Sequence, residues 1–241
     1  MMPSALHRLR DFTVARVGLA RTGHSVTLHD HLELQLAHAR ARDAVHTPLD
    51  LTSLRDDLSP YPGVLVESAA TTREIYLRRP DLGRRLKPEC RATLPGGPVD
   101  VVFILIDGLS ALALQTHAAP LLHLLLPRLE ADWRIAPLVI ATQGRVALGD
   151  DIGEALGAAL SVVLIGERPG LSSPDSLGIY LTWGPRPGRT DAERNCLSNI
   201  RAEGLSYPAA AERLLFLMTE SRRRRLSGVE LKEDGLVQSL P

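Results

Sequence analysis

The sequence predicts an α/β fold: a mostly parallel sheet flanked by helices, with a smaller, mainly helical part at the N-terminus. Three observations lead there. Val99–Ile106, Ile135–Ile140 and Leu160–Ile165 are apolar runs rich in β-branched residues, the composition of strands buried on both faces. Helical stretches separate these runs, and strands that alternate with helices imply parallel pairing with right-handed crossovers. Finally, LPGGP at Leu94–Pro98 is the clearest linker signal in the chain. It sets a division between an N-terminal subdomain, 1–94, and a second domain, 95–241.

Along the chain, residues 1–28 read as an opening segment with turns at Gly18 and Gly23. His31–His46 reads as a helix whose apolar stripe is Leu32, Leu36, Ala39 and Val45, with Arg40, Arg42 and Asp43 outward, and Pro48 stops it. Leu51–Leu58 reads as a short helix and Val64–Val66 as a short strand; Arg73–Arg79 leads into a turn forced by Pro80 and Gly83. After the linker come the strand Val99–Ile106, then a Leu- and Ala-rich helix over Leu109–Leu126, kinked or divided near Pro120. Ile135–Ile140 is the second strand of this half. Gly149–Gly157 is a short helix with Asp150 and Asp151 in its first turn, which suits the helix dipole. Leu160–Ile165 and Leu177–Trp183 are further strands. Tyr207–Leu226 is a long amphipathic helix with Gly228 as its stop, and Glu230–Pro241 reads as a frayed tail.

Bulk properties exclude several functions. Lys plus Arg equals Asp plus Glu at 28 each, so no whole-chain basic field is available to hold nucleic acid. Only 4% of residues are aromatic, which argues against a stacking surface for sugars or single strands. The longest apolar stretches are interrupted by Asp107, Gln115, His117 and His123, so none reads as a membrane span, and the first residues lack the apolar core of a signal peptide. The two cysteines, Cys90 and Cys196, lie far apart without a CxxC pattern and read as free thiols in a reducing cytosol.

Familiar catalytic signatures are missing. There is no GxGxxG, no GxxxxGK[ST], no HExxH and no complete GxSxG elbow. His24, His29, His31 and His38 share one region without a recognised ligand spacing. No DxHxxG occurs, since Asp30 is followed directly by His31.

What remains is the stretch Gly144–Ile200, in which apolar runs end in glycine-containing polar turns. An open parallel sheet delivers such turns to one edge, where ligands collect. Val146, in GRV, can offer an apolar wall and backbone hydrogen bonds; a plain strand-to-helix turn is the alternative. Glu167, in GERPG, brings an acceptor-only carboxylate suited to a ligand with amide N–H donors; an ion pair with Arg168 or Arg145 is the alternative. Cys196 is either a buried small hydrophobe or the wall of a large pocket. A stand-alone enzyme with an acidic site around Asp107, Glu154 and Glu167 stays open, as does a purely structural interaction module. Arg222–Arg225 read as a solvated face, with a subunit interface or a phosphate contact as the alternative.

The segments LAHARARDAVH, YLRRPDLGRRL, DGLSALA, QGRVALGDDIGEALGA, VVLIGERPGLSSPDSLGIYLTW and DAERNCLSNI, six in order, resemble the small (light) subunit of ethanolamine ammonia-lyase. The resemblance implies a Rossmann-like domain. It also implies an adenosylcobalamin-dependent radical reaction, converting ethanolamine to acetaldehyde and ammonia, with the catalytic residues on a large (heavy) subunit. The small subunit would then clamp the cobalamin against that barrel-shaped partner in a hetero-oligomer. By motif, Val146, Glu167 and Cys196 become cobalamin contacts. The missing DxHxxG fits a base-on cofactor that needs no histidine of this chain on cobalt. A cytoplasmic location is expected. Some members carry an N-terminal extension associated with a bacterial microcompartment; here the matching region begins right after Met1–Asp11, which leaves packaging open.

Overall fold

A computed structural model describes residue 9, residues 12–13 and residues 15–232. Its N-terminal part is mainly helical. A hairpin of β1 (Arg21–Thr22) and β2 (Ser25–Val26) turns at Gly23, whose φ of +63° suits a residue without a Cβ. Helix α1 (Leu28–His46) starts at Thr27, whose hydroxyl accepts from the Asp30 N–H. Then come α2 (Leu51–Asp57), capped by Asp50, strand β3 (Gly63–Glu67), α3 (Arg73–Arg78), capped by Thr72, and α4 (Pro88–Thr93).

The second half begins with β4 (Val99–Ile106) and α5 (Ala111–Leu125), followed by β5 (Leu138–Thr142), α6 (Leu148–Leu156) and β6 (Ala158–Gly166). Two further strands, β7 (Leu177–Trp183) and β8 (Arg194–Ile200), precede α7 (Tyr207–Arg224). The six-stranded sheet has the order β3-β5-β4-β6-β7-β8. Pairs β3–β5, β4–β5 and β4–β6 are parallel, while β6–β7 and β7–β8 are antiparallel. The α/β architecture with a mostly parallel sheet is therefore as expected. Strand β3 precedes the linker yet forms one edge of this sheet.

Burial on both faces explains the continuous apolar runs. Along β4, Val101, Phe103 and Leu105 face one core with α5 and α7; Val102, Ile104 and Ile106 face a second core with α6. No helix of the described residues is long and apolar enough to cross a membrane.

Several local expectations are corrected. Of the two expectations at Pro120, kinked or divided, division is excluded: helix α5 runs through it as one element. One missing N–H is outweighed by the burial of Ala118, Ala119, Leu121 and Leu122 around it. The second strand starts at Leu138 rather than Ile135. Pro137 has no N–H to give the ladder, so Ile135 keeps only an isolated bridge to Val101. Helix α7 ends at Arg225, which takes the left-handed conformation (φ +57°), before Gly228 is reached. The C-terminal end is not frayed through residue 231: Leu231 is buried and its carbonyl accepts from the Asn195 amide. Residues 233–241 of the expected tail lie outside the described residues.

The α1 stripe is also different. Leu32 and Leu36 are 53% and 51% exposed, and Leu28 is 73% exposed. Ala37 and Ala44 face inward instead.

Candidate functional site

The carboxyl ends of the parallel strands open onto one crevice of about 980 Å³. Leu109 follows β4, Arg145 and Val146 follow β5, and Glu167 follows β6; all four residues line it. Helices α5 and α6, which follow β4 and β5, pack on opposite faces of the sheet. A crevice forms at such a point because successive connections leave in opposite directions.

Close backbone approach sets the floor. The Leu109 N–H donates to the Gly166 carbonyl at 3.0 Å. A Cβ on Gly166 would stand 1.9 Å from the Ser110 carbonyl oxygen, so only glycine lets the ends of β4 and β6 meet here.

Asp107 shapes the turn beside it. Its buried carboxylate accepts from the backbone N–H groups of Gln143 (3.0 Å) and Gly144 (3.3 Å). Gln143 is held at φ +56° in that turn. This aims Arg145 and Val146 into the crevice. Burial pushes the Asp107 carboxyl up, against the pull of those N–H groups and of Arg73, whose guanidinium lies 3.9 Å away.

Tyr76 supports the same turn from below. The Arg145 guanidinium sits 4.2 Å from its ring centroid and that of Arg73 sits 4.7 Å away. Burial pushes the phenol up to about 12.

Glu167 makes neither of the ion pairs considered from sequence. Its carboxylate accepts from the hydroxyls of Ser176 and Ser198, the latter at 2.6 Å, and from the Asn199 N–H at 3.3 Å. A carboxylate offers about four lone-pair sites, so one acceptor position remains. Gly178 leaves room for the side chain, since a Cβ there would stand 2.8 Å from Glu167 Oε1.

Cys196 is exposed, which removes the reading of a buried small hydrophobe. It lies opposite Tyr180 across β7 and β8, and Tyr180 lines the crevice. Desolvation first, then the charge of Glu167, holds the thiol above its ordinary value, so it is not primed as a nucleophile. Val146 and Glu167 line the crevice, whereas Cys196 is not a lining residue and reaches it only through its register partner Tyr180.

The acidic trio is not assembled. Glu154 is paired with Arg91 at 2.9 Å and is not a lining residue, while Asp107 is committed to backbone groups. Of the N-terminal histidines, His29 comes near Asp30 and Glu33, all ligand atoms lying within 4.8 Å of one another. The Asp30 carboxylate there already accepts from the Ala20 N–H and the Thr27 hydroxyl, so it serves the start of α1. Arg222–Arg224 also have local work. Arg222 lies over Trp133 and donates to the Asp132 carbonyl, Arg223 pairs with Glu220, and Arg224 donates to the Glu230 carbonyl.

Two features escaped sequence reasoning. The first is a fully buried bidentate pair at the crevice base: Arg194 Nη1 and Nη2 donate to Asp150 at 2.8 and 2.6 Å. The second is the turn before β8, where Thr190 and Glu193 form a capping box. The Thr190 N–H and hydroxyl and the Arg189 guanidinium lower the Glu193 carboxyl to about 2. Depression means that this group stabilises the fold fully above the ordinary value of 4.5 and loses that contribution as pH falls toward 2. A carboxyl NMR titration is expected to show Glu193 ionised at pH 3.5; a midpoint near 4.5 would exclude the box in solution.

Taken together, the crevice carries held acceptors and apolar walls, and the Cys196 thiol lies outside its lining. No nucleophile–base pair stands among the groups described.

The family model for the ethanolamine ammonia-lyase light chain (EutC) matches residues 3–232. A small subunit of ethanolamine ammonia-lyase from Azotobacter vinelandii is 56% identical, the match covering 97% of this chain and 90% of the relative. One from Pseudomonas paraeruginosa is 54% identical, and one from Pseudomonas fluorescens is 53% identical. Each of these two matches covers 96% of this chain and 88% of the relative.

Proposed function

Because this chain belongs to the ethanolamine ammonia-lyase light-chain family, we propose that it works as the cofactor-holding small subunit of that lyase, docked on a larger catalytic partner. The observation that carries the reading is Glu167. Its carboxylate is fixed by three donors on the crevice wall and keeps one acceptor site open. A corrin bears amide side chains, and an amide N–H is the donor such a site accepts.

The residues fit the group in shape as well. Val146 and Tyr180 supply apolar surface, and the crevice of about 980 Å³ is partly open to solvent. That suits one face of a macrocycle whose other face meets a second protein. When bound, adenosylcobalamin supplies a carbon radical by cleavage of its cobalt–carbon bond.

This chain's own residues do quieter work. Glu167 orients an amide arm. The turn held by Asp107 presents Val146 against the ring. Preordered groups add affinity because little freedom is lost on binding. Positioning also contributes to the rate, since the reactive carbon must form beside the substrate and away from water.

Two measurements test this. The purified chain alone is expected to release no acetaldehyde from ethanolamine with adenosylcobalamin present, and activity is expected on adding the large subunit. Full turnover by the isolated chain would sink the subunit reading. In the complex, Glu167→Ala is expected to weaken cobalamin binding about tenfold, the worth of one hydrogen bond to a charged group. Co-elution with the large subunit should persist. Unchanged affinity would overturn the role given to Glu167.

A further inference from the structure

Four arginines stand on the rim of the crevice, and three of them make no close charge contact inside the fold. Arg84 and Arg85 follow Gly83, and Arg168 follows Glu167; all three are exposed and line the crevice. Among the described residues their guanidinium groups make no ion pair and no hydrogen bond. Arg145, whose guanidinium lies over the Tyr76 ring, gives one hydrogen bond, from Nη2 to the Tyr76 carbonyl at 3.2 Å, while its buried Nε has no partner. The segments of Arg84, Arg85 and Arg145 are joined, since the Arg145 N–H donates to the Gly83 carbonyl at 2.7 Å.

The nearby carboxylates do not neutralise them. Asp150 is taken by Arg194, Asp81 (the carboxylate near Arg85) by Arg79, and Glu167 by its three donors. Only Asp151, which accepts from the Leu86 N–H, and the fully exposed Asp191 are less engaged. A chain with equal numbers of cationic and anionic residues thus concentrates spare positive charge at one place.

We infer that Arg84, Arg85, Arg145 and Arg168 form a phosphate-binding rim on this crevice. Guanidinium groups present paired N–H donors that match phosphate oxygens, and several converging on one anion give specificity that a single surface charge does not. The inference builds on the cofactor reading above. A corrin's amide arms are neutral, but the nucleotide tail of a base-on cobalamin carries one phosphodiester anion. The same chemistry would take free phosphate, and the two sources are separable.

The test uses the complex with the large subunit, and compares cobalamin with cobinamide, which lacks the nucleotide tail and its phosphodiester. The variant is Arg84→Gln/Arg85→Gln/Arg168→Gln, chosen because these side chains are exposed and unpaired, so folding is spared. Arg145→Lys is a second variant that keeps the charge and loses the fork. Calorimetry is expected to show the triple variant weakening cobalamin at least tenfold, with cobinamide affinity unchanged. Arg145→Lys should move in the same direction by a smaller factor. Inorganic phosphate is titrated separately into wild type and triple variant. Phosphate binding lost in the variant, with the cobalamin-to-cobinamide ratio unchanged, would keep the rim and assign it to free phosphate. Equal loss for both corrinoids, or no loss for any probe, would overturn the rim. If the wild type binds neither corrinoid, the cofactor reading fails, and the phosphate titration still decides the rim.

Discussion

Asp150→Ala is expected to destabilise the fold by about 3–5 kcal/mol, the cost of stranding one member of a buried ion pair. Arg194 would lose both of its short hydrogen bonds to the carboxylate. Its remaining partners are the Thr182 hydroxyl, the Arg189 carbonyl and, 3.6 Å from Nε, the fully exposed Asp191 carboxylate, whose hydrated charge balances poorly one that is almost completely shielded from water. Domains of this kind are stable by about 5–15 kcal/mol in total, so the loss is a large share. Urea unfolding followed by circular dichroism measures it. The double change Asp150→Leu/Arg194→Met is expected to recover much of the stability, because two apolar side chains leave no uncompensated charge. A loss below about 1 kcal/mol for the single change would mean that the pair is hydrated, contrary to its burial.

Gly166→Ala is expected to cost about 3 kcal/mol or more, at or beyond the usual range for overpacking. The added Cβ would meet the Ser110 carbonyl oxygen at 1.9 Å and the Asp107 carbonyl oxygen at 2.8 Å. Both obstacles are backbone, so no flexible side chain can swing aside. Relief requires β4 and β6 to part at their carboxyl ends, which would spoil the floor of the crevice as well as the core. Gly97→Ala is the control, since a Cβ there meets nothing within 4 Å. Equal unfolding midpoints for the two variants would show that the strand ends are not in the close approach described.

Which parts of this could be read from the chain follows from where the information sits. Strands β4, β6 and β7 were legible because burial on both faces demands apolar residues without interruption. Strand β8 was not. It is an edge strand with the sequence RNCLSNI, of which Leu197 and Ile200 supply the apolar burial. The α1 leucines misled for the opposite reason: helical spacing marks a face, and nothing in spacing says what covers it.

The site divides in the same way. Glu167 was found because a polar turn after an apolar run marks a strand's carboxyl end. Its donors, Ser176 and Ser198, were not found, because their meeting depends on how β7 and β8 align. Asp150 looked like a dipole-complementing residue of α6, and that local role hid its true partner in a strand far along the chain. Tyr76 between two arginines was hidden likewise, since Arg145 lies far from it in sequence.

The change from parallel to antiparallel pairing at β6 has a consequence in time. Strands β6, β7 and β8 are neighbours both in sequence and in the sheet, whereas β3 reaches β5 only after β4 and α5 have been laid between them. Loop-closure entropy grows with the length of chain enclosed. The C-terminal meander therefore closes with short loops, while the parallel half closes with long ones. Synthesis runs in the other direction, delivering the parallel half first. The strands beside Glu167 are thus the quick-pairing part of the sheet, yet they are made after the parallel half they complete.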